Sequence, residues 1–192
     1  MNLIFFIKSA TVNLTKYTIK DIPGSSGRLD VVSRCVLAAL LNKNGFEENL
    51  EIWTFLDNFG TYIFNPQLLD YETFPKTELL LTDLFVNFLQ GRLKDNPLRS
   101  ITISDITMIK AIKKFQGLNY EVFILKEDGL PFLDLISEII EMNSIFIIGS
   151  QEDKFLNTKE LLELNLQTVS FGAQSYLASS VIRLLKLHIR AL

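Results

Sequence analysis

Tyr120-Glu121-Val122-Phe123-Ile124-Leu125, Ser144-Ile145-Phe146-Ile147-Ile148-Gly149 and Thr168-Val169-Ser170-Phe171 decide the fold. Each is a short run rich in β-branched and aromatic residues, bounded by polar residues or glycine, and each predicts a strand: Tyr120–Leu125, Ser144–Ile148 and Thr168–Phe171. Between and after them, Phe132–Ile140, Asp153–Leu162 and Gln174–Ile189 predict helices. Adjacent parallel strands need a crossover, usually a helix, that covers the sheet. Strand and helix alternating at this pace therefore predict an α/β domain with a mostly parallel sheet and helices on both faces.

Working outward, Asn2–Lys8 predicts a further buried strand, Leu50–Leu56 another, and Thr61–Phe64 a short partner after the Asn58-Phe59-Gly60 turn. Arg28–Lys43 predicts a helix, with Leu29, Val32, Val36, Ala39 and Leu40 on one face and Asp30, Ser33 and Arg34 on another. Helices are also predicted over Thr77–Gln90 and Ser104–Phe115, the latter with Ser104 as N-cap. No repeat and no Pro/Gly/Ser-rich linker divides the chain. Its 192 residues, 48% of them apolar, suit one domain with a substantial core.

Composition removes several chemistries. The chain has one His and one Cys, too few for a Cys/His zinc centre or an internal disulfide, so no metal is expected. A nucleophile–histidine centre would have to run through His188, to which no catalytic role is assigned. Leu3–Ile7 is too short to span a bilayer and runs into Lys8. With no positively charged leader ahead of it, the chain reads as a cytoplasmic protein without a membrane segment. Neither G-x-G-x-x-G nor G-x-x-x-x-G-K-[ST] occurs, which leaves dinucleotide and P-loop readings without a phosphate cradle. At a formal charge of −3, any attraction for nucleic acid must be local.

The densest cluster of special residues is Ile22-Pro23-Gly24-Ser25-Ser26-Gly27-Arg28-Leu29-Asp30. A glycine–serine loop entering a helix presents unpaired backbone N–H groups, a ready anion site. Arg28 at the start of a helix opposes the helix dipole, so local helix stability does not explain it. Two readings stay open on the residues alone. One is an entry loop with an Asp30–Arg34 surface ion pair; the other has Arg28 and Arg34 gripping a phosphate-bearing substrate beside Asp30.

The stretch from Ile19 through Asp30 to Val36 resembles the N-terminal signature of the TrmY family, archaeal-type tRNA pseudouridine N1-methyltransferases of the SPOUT superfamily. Ile145–Gly149 and Val169-Ser170-Phe171-Gly172-Ala173 agree in order and position. The resemblance fades between about Pro66 and Gly117. It implies a SPOUT fold with a C-terminal deep trefoil knot, S-adenosylmethionine as cofactor, tRNA as substrate and a homodimer. It also implies a division of labour within the single domain 1–192, with 1–117 on the substrate side and 118–192 forming the knot and cofactor side. The implied cofactor pocket is lined by Leu125, Gly149, Phe171, Gly172, Ala173, Gln174, Ser175, Tyr176 and Val181. Arg28 and Arg34 would bind RNA, and Asp30 would orient the base or take the N1 proton. The chain departs from the family pattern in three places. Ser150-Gln151-Glu152-Asp153 replaces a longer glycine-containing loop and brings two carboxylates, Ala173 replaces a proline, and Val181 replaces a cysteine. Two alternatives stay open: a non-catalytic RNA-binding dimer of the same fold, and methylation of a ribosomal RNA pseudouridine.

Other features read as structural. The fifteen Phe residues are scattered as core residues are. Lys110, Lys113 and Lys114 read as a solvated helix face, and Leu177, Val181, Leu184, Leu185 and His188 as a stripe shared between core and dimer interface.

Overall fold

The computed structural model describes residues 1–149 and 153–191, without the side chains at 153 and 154. The expectation about Ser150-Gln151-Glu152-Asp153 and its carboxylates therefore lies outside the described residues.

β1 (Leu3–Ser9) is central to a seven-stranded sheet. Around it are β2 (Leu50–Leu56), β3 (Gly60–Phe64), β4 (Thr102–Ser104), β5 (Glu121–Pro131), β6 (Ser144–Ile148) and β7 (Gln167–Ser170), in the order β4-β3-β2-β1-β6-β5-β7. β2, β1, β6, β5 and β7 run parallel, and β3 and β4 form an antiparallel flank. The central register is Phe5 opposite Ile52 on one side and Phe146 on the other.

The period of two along β1 explains the two layers. Leu3, Phe5 and Ile7 point into a core completed by α2 (Leu29–Leu40), α3 (Glu78–Leu89), α5 (Phe132–Ile139) and α7 (Ala178–Arg190). Ile4 and Phe6 point the other way, under α4 (Met108–Gln116) and α6 (Lys159–Leu162). Both faces of the central strands are covered, which is why these strands read as continuous apolar runs. Phe5, Phe6, Phe64, Phe85, Phe132 and Phe146 are fully buried. No described helix is long and apolar enough to cross a membrane.

Several boundaries differ from the sequence reading. Ser104 ends β4 instead of capping α4, because the Thr102–Ser104 segment pairs with Thr61–Ile63. The N-cap is Thr107, whose hydroxyl accepts from the Lys110 N–H. The loop before Gly27 contains a single helical turn, α1 (Ile22–Ser25), capped by Asp21 and started by Pro23. Asp153–Leu162 divides into a 3-10 turn over Asp153–Asn157 and the four-residue α6. The final helix begins at Ala178, not Gln174. β5 continues six residues beyond Leu125, to Pro131.

α2 is held to α7 by a buried charge cluster. The Lys186 ammonium donates to the carbonyls of Ala38, Ala39 and Leu41 at 2.6, 2.9 and 3.0 Å, capping the C-terminus of α2. It also lies 2.9 Å from Glu47, a buried carboxylate that Arg190 approaches from its other oxygen.

Candidate active site

The ends of β5, β6 and β7 open into a cavity of about 550 Å³ against the start of α2. Parallel α/β sheets place ligand sites at these carboxyl ends. Leu125, Ile148, Val169, Phe171 and Val181 supply apolar walls, and the backbone of Gly149 and Gly172 supplies polar ones. Leu125, Gly149, Phe171, Gly172, Gln174, Ser175, Tyr176 and Val181, all expected at a cofactor pocket, line this one cavity. Ala173, also expected there, is exposed and does not line it.

The turn after β7 is built by Ser170. Its nearly buried hydroxyl takes the Gly172 N–H at 2.9 Å and lies 3.0 Å from the Glu127 carbonyl and 3.1 Å from the Gly172 carbonyl. These bonds hold the chain in a turn, and residues 172–177 stay exposed and non-helical until Ala178. Behind the turn the His188 ring stacks on Phe171, with centroids 5.9 Å apart and planes at 22°. His188 thus supports the cavity wall from outside.

Arg28 and Arg34 reach the same cavity from α2. Gly27 makes this possible. Its φ is +61°, and a Cβ there would lie 1.9 Å from the Thr11 carbonyl oxygen, so only glycine fits. The Thr11 hydroxyl donates to the Gly27 carbonyl at 2.7 Å and the Asn13 N–H to the Ser26 carbonyl at 3.3 Å, fixing the loop on the segment after β1. Arg28 follows in the left-handed region at φ 67°. A non-glycine residue in that conformation costs about 1–2 kcal/mol, a strain found preferentially at functional sites. Turned this way, Arg28 folds over Asp30, donating Nε to Oδ1 at 3.0 Å and Nη2 to Oδ2 at 3.1 Å.

Arg34 donates Nη2 to the same Oδ2 at 3.2 Å, and its Nε lies 3.2 Å from Glu78 at the first turn of α3. The Asp30 hydrogen bonds raise the Arg28 pKa, against an opposing effect of partial burial. Asp30 itself is 2% exposed and does not line the cavity. The carboxylate expected to be catalytic lies behind the arginines, both Asp30 oxygens accepting hydrogen bonds from them. The Asp30–Arg34 ion pair expected from the spacing is present, and Asp30 and Glu78 together balance the charges of the two arginines. Among the described residues, no hydrogen bond uses Nη1 of either arginine.

Residues that the sequence reading did not assign to the site also line the cavity, above all Lys126, Glu127 and Asp128. They form a bulge in β5, where the register with β7 skips from Leu125 to Leu130, both opposite Val169. In sequence, Lys126-Glu127-Asp128-Gly129 looks like an ordinary loop between strand and helix. Among the described residues no group of three or more acidic, His or Cys side chains could hold a metal ion.

The model of the family described as "Putative SAM-dependent RNA methyltransferase" matches residues 2–192. The chain belongs to this family. This RNA methyltransferase is 27% identical over 191 residues to the tRNA (pseudouridine(54)-N(1))-methyltransferase of Thermococcus onnurineus, covering 92% of each chain. It is 25% identical over 181 residues to the enzyme of that name from Methanosarcina mazei, covering 88% of this chain and 81% of the other. The crystal structure of Archaeoglobus fulgidus Nep1 bound to S-adenosylhomocysteine superposes on the methyltransferase with a TM-score of 0.69, at 18% identity and covering all of both chains. That likeness shows a shared fold. The cavity suits the cofactor of the family, being within the usual size of a small-molecule site and mixing apolar walls at Leu125, Ile148, Val169 and Phe171 with polar and charged groups.

Proposed function

We propose that the protein transfers a methyl group from S-adenosylmethionine to N1 of pseudouridine 54 in the T-loop of tRNA. One observation carries this reading: the strand-end cavity of the C-terminal half and the Arg28–Asp30–Arg34 network of the N-terminal half meet in a single site. Residues 118–192 would hold the cofactor and residues 1–117 the RNA. The names of the relatives from Thermococcus onnurineus and Methanosarcina mazei support the choice of nucleotide.

The cofactor, when bound, would supply an electrophilic methyl group on a sulfonium that leaves as a neutral thioether, and the proton displaced from N1 would pass to solvent. The chain then has to position and shield, which is where most of the rate of such a displacement originates. Leu125, Ile148, Phe171 and Val181 line the cavity and would shield the reacting atoms from water once it is filled. Arg28 and Arg34 donate to the RNA backbone or base edge, and Asp30 fixes their planes, an arrangement suited to directional binding. The target base leaves its stack to reach the cavity.

A homodimer and the C-terminal trefoil knot belong to this reading. Exposed Leu133 on α5, Leu187 on α7 and Leu177 at the entry to α7 support the dimer. The placement of β7 outside β5 and the fold shared with Nep1 support the knot. The protein would act in the cytoplasm, on transcribed tRNA. Incubation with labelled S-adenosylmethionine and a tRNA carrying pseudouridine 54 should yield N1-methylpseudouridine by nucleoside mass spectrometry. Methylation of ribosomal RNA alone would redirect the proposal to another substrate.

A further inference from the structure

The β5 bulge gives the cavity an acidic edge. At Leu125 and again at Leu130 the strand pairs with Val169, so residues 126–129 leave the ladder, as bulges beside active sites do. Gly129 lets the two backbones close again; a Cβ there would lie 2.6 Å from the Val169 nitrogen. The Ser170 hydroxyl closes the arrangement, bridging the Glu127 carbonyl at 3.0 Å to the Gly172 turn. Lys126 is drawn toward Asn157, with Nζ to Oδ1 at 3.2 Å, while Glu127 and Asp128 stay exposed on the cavity rim. Among the described residues neither carboxylate has an ion-pair partner. Arg28 and Arg34 line the same cavity but pair with Asp30 and Glu78, which balance their charges.

We infer that Ser170 is a positioning residue: it holds the bulge so that Glu127 and Asp128 face the cofactor, and this edge makes the cavity prefer S-adenosylmethionine over S-adenosylhomocysteine. The two ligands share adenosine, ribose and amino-acid groups. They differ in the methyl group and in the sulfonium charge, which is lost on transfer. Carboxylates facing that charge bind the substrate form and loosen their hold on the product form, so the edge favours turnover. The effect is moderate because the carboxylates are solvated; two such pairs should give about a three- to tenfold preference.

The inference rests on the cavity being the cofactor site. The experiment is calorimetric titration of the full-length protein with each ligand at low and high salt. Wild type should bind S-adenosylmethionine about three- to tenfold more tightly than S-adenosylhomocysteine, with the ratio shrinking in high salt. Glu127→Gln/Asp128→Asn should bring the ratio close to unity through weaker S-adenosylmethionine binding. Ser170→Ala should move it the same way and Ser170→Thr should restore it. A purely structural role for Ser170 would weaken both ligands alike. A wild-type preference that survives in the Glu127→Gln/Asp128→Asn protein overturns the inference while leaving the cofactor reading intact. Failure of wild type to bind either ligand overturns both. The exposed double variant keeps the test decisive if Ser170→Ala does not fold.

Discussion

Gly27→Ala probes the joint on which the arginine network hangs. An added Cβ would lie 1.9 Å from the Thr11 carbonyl oxygen and 2.6 Å from the Asn13 nitrogen, both backbone atoms that cannot swing aside. Alanine would also have to hold a φ of +61°. The left-handed conformation costs about 1–2 kcal/mol and the overpacking a further 1–3 kcal/mol, so the expected loss is roughly 2–5 kcal/mol. At a urea dependence of about 2 kcal/mol per molar, the unfolding midpoint should fall by roughly 1–2.5 M. Gly45→Ala is the control, since a Cβ there meets nothing within 4 Å. It should change stability by less than about 0.5 kcal/mol or raise it slightly. Where Gly27→Ala remains folded, Arg28 moves with the loop and RNA affinity should fall. A Gly27→Ala midpoint indistinguishable from that of Gly45→Ala would refute the tight seat of the loop on residues 11–13, and with it the explanation for the conformation of Arg28.

Other perturbations test separate parts of the structure. Asp30→Asn should destabilise by about 2–3 kcal/mol, the low side for a broken buried ion pair because both arginines are about one-third exposed. It should weaken RNA binding and leave calorimetric S-adenosylmethionine affinity within about twofold; unchanged RNA affinity would remove Asp30 as the positioning residue. Lys186→Met leaves the buried Glu47 carboxylate to Arg190 alone and uncaps α2, for a loss of about 3 kcal/mol in urea unfolding, the low end for a broken buried pair. Combining it with Glu47→Gln should recover at least about 1 kcal/mol, and strict additivity would contradict the coupling. Burial pushes the Cys35 thiol from its ordinary 9.0 up to about 12, so native protein should resist thiol reagents that react once it is unfolded. The folded pKa lies above the unfolded one, so this group's contribution is intact below about pH 9 and is lost as pH rises toward 12, at roughly 1.4 kcal/mol per unit. Cys35→Ala should flatten the alkaline fall in stability by that slope; an unchanged slope would place the titration elsewhere.

The strands were the most legible part of the sequence. Leu50–Leu56 and Ser144–Ile148 were recognisable because a run buried on both faces carries its signature in consecutive residues. Features set by distant partners were not. Ser104 and Thr107 are both sound caps, and only the pairing of β4 with β3 chooses Thr107. Gln174-Ser175-Tyr176-Leu177 could continue a helix, yet the chain there follows the turn that Ser170 makes at Gly172. The β5 bulge was invisible because a charged stretch ending in Gly129 and Pro131 has the composition of a loop. At the site, Arg28, Asp30 and Arg34 were conspicuous, but their relationship was not. A pair two residues apart does not face itself on a helix, and Arg28 meets Asp30 only because its backbone is left-handed. That geometry turns Asp30 from an available carboxylate into the anchor of two arginines. Ten of the 22 residues lining the cavity were reachable by resemblance, whereas Lys126, Glu127 and Asp128 needed the register of β5 on β7.

The most direct measurement is single-turnover methyl transfer from labelled S-adenosylmethionine to two otherwise identical tRNA transcripts, one carrying pseudouridine at position 54 and one uridine. The pseudouridine transcript should take up label and yield N1-methylpseudouridine at that position, while the uridine transcript should stay unlabelled. Equal labelling of both, or labelling of neither by protein that binds S-adenosylmethionine, would contradict the proposed activity.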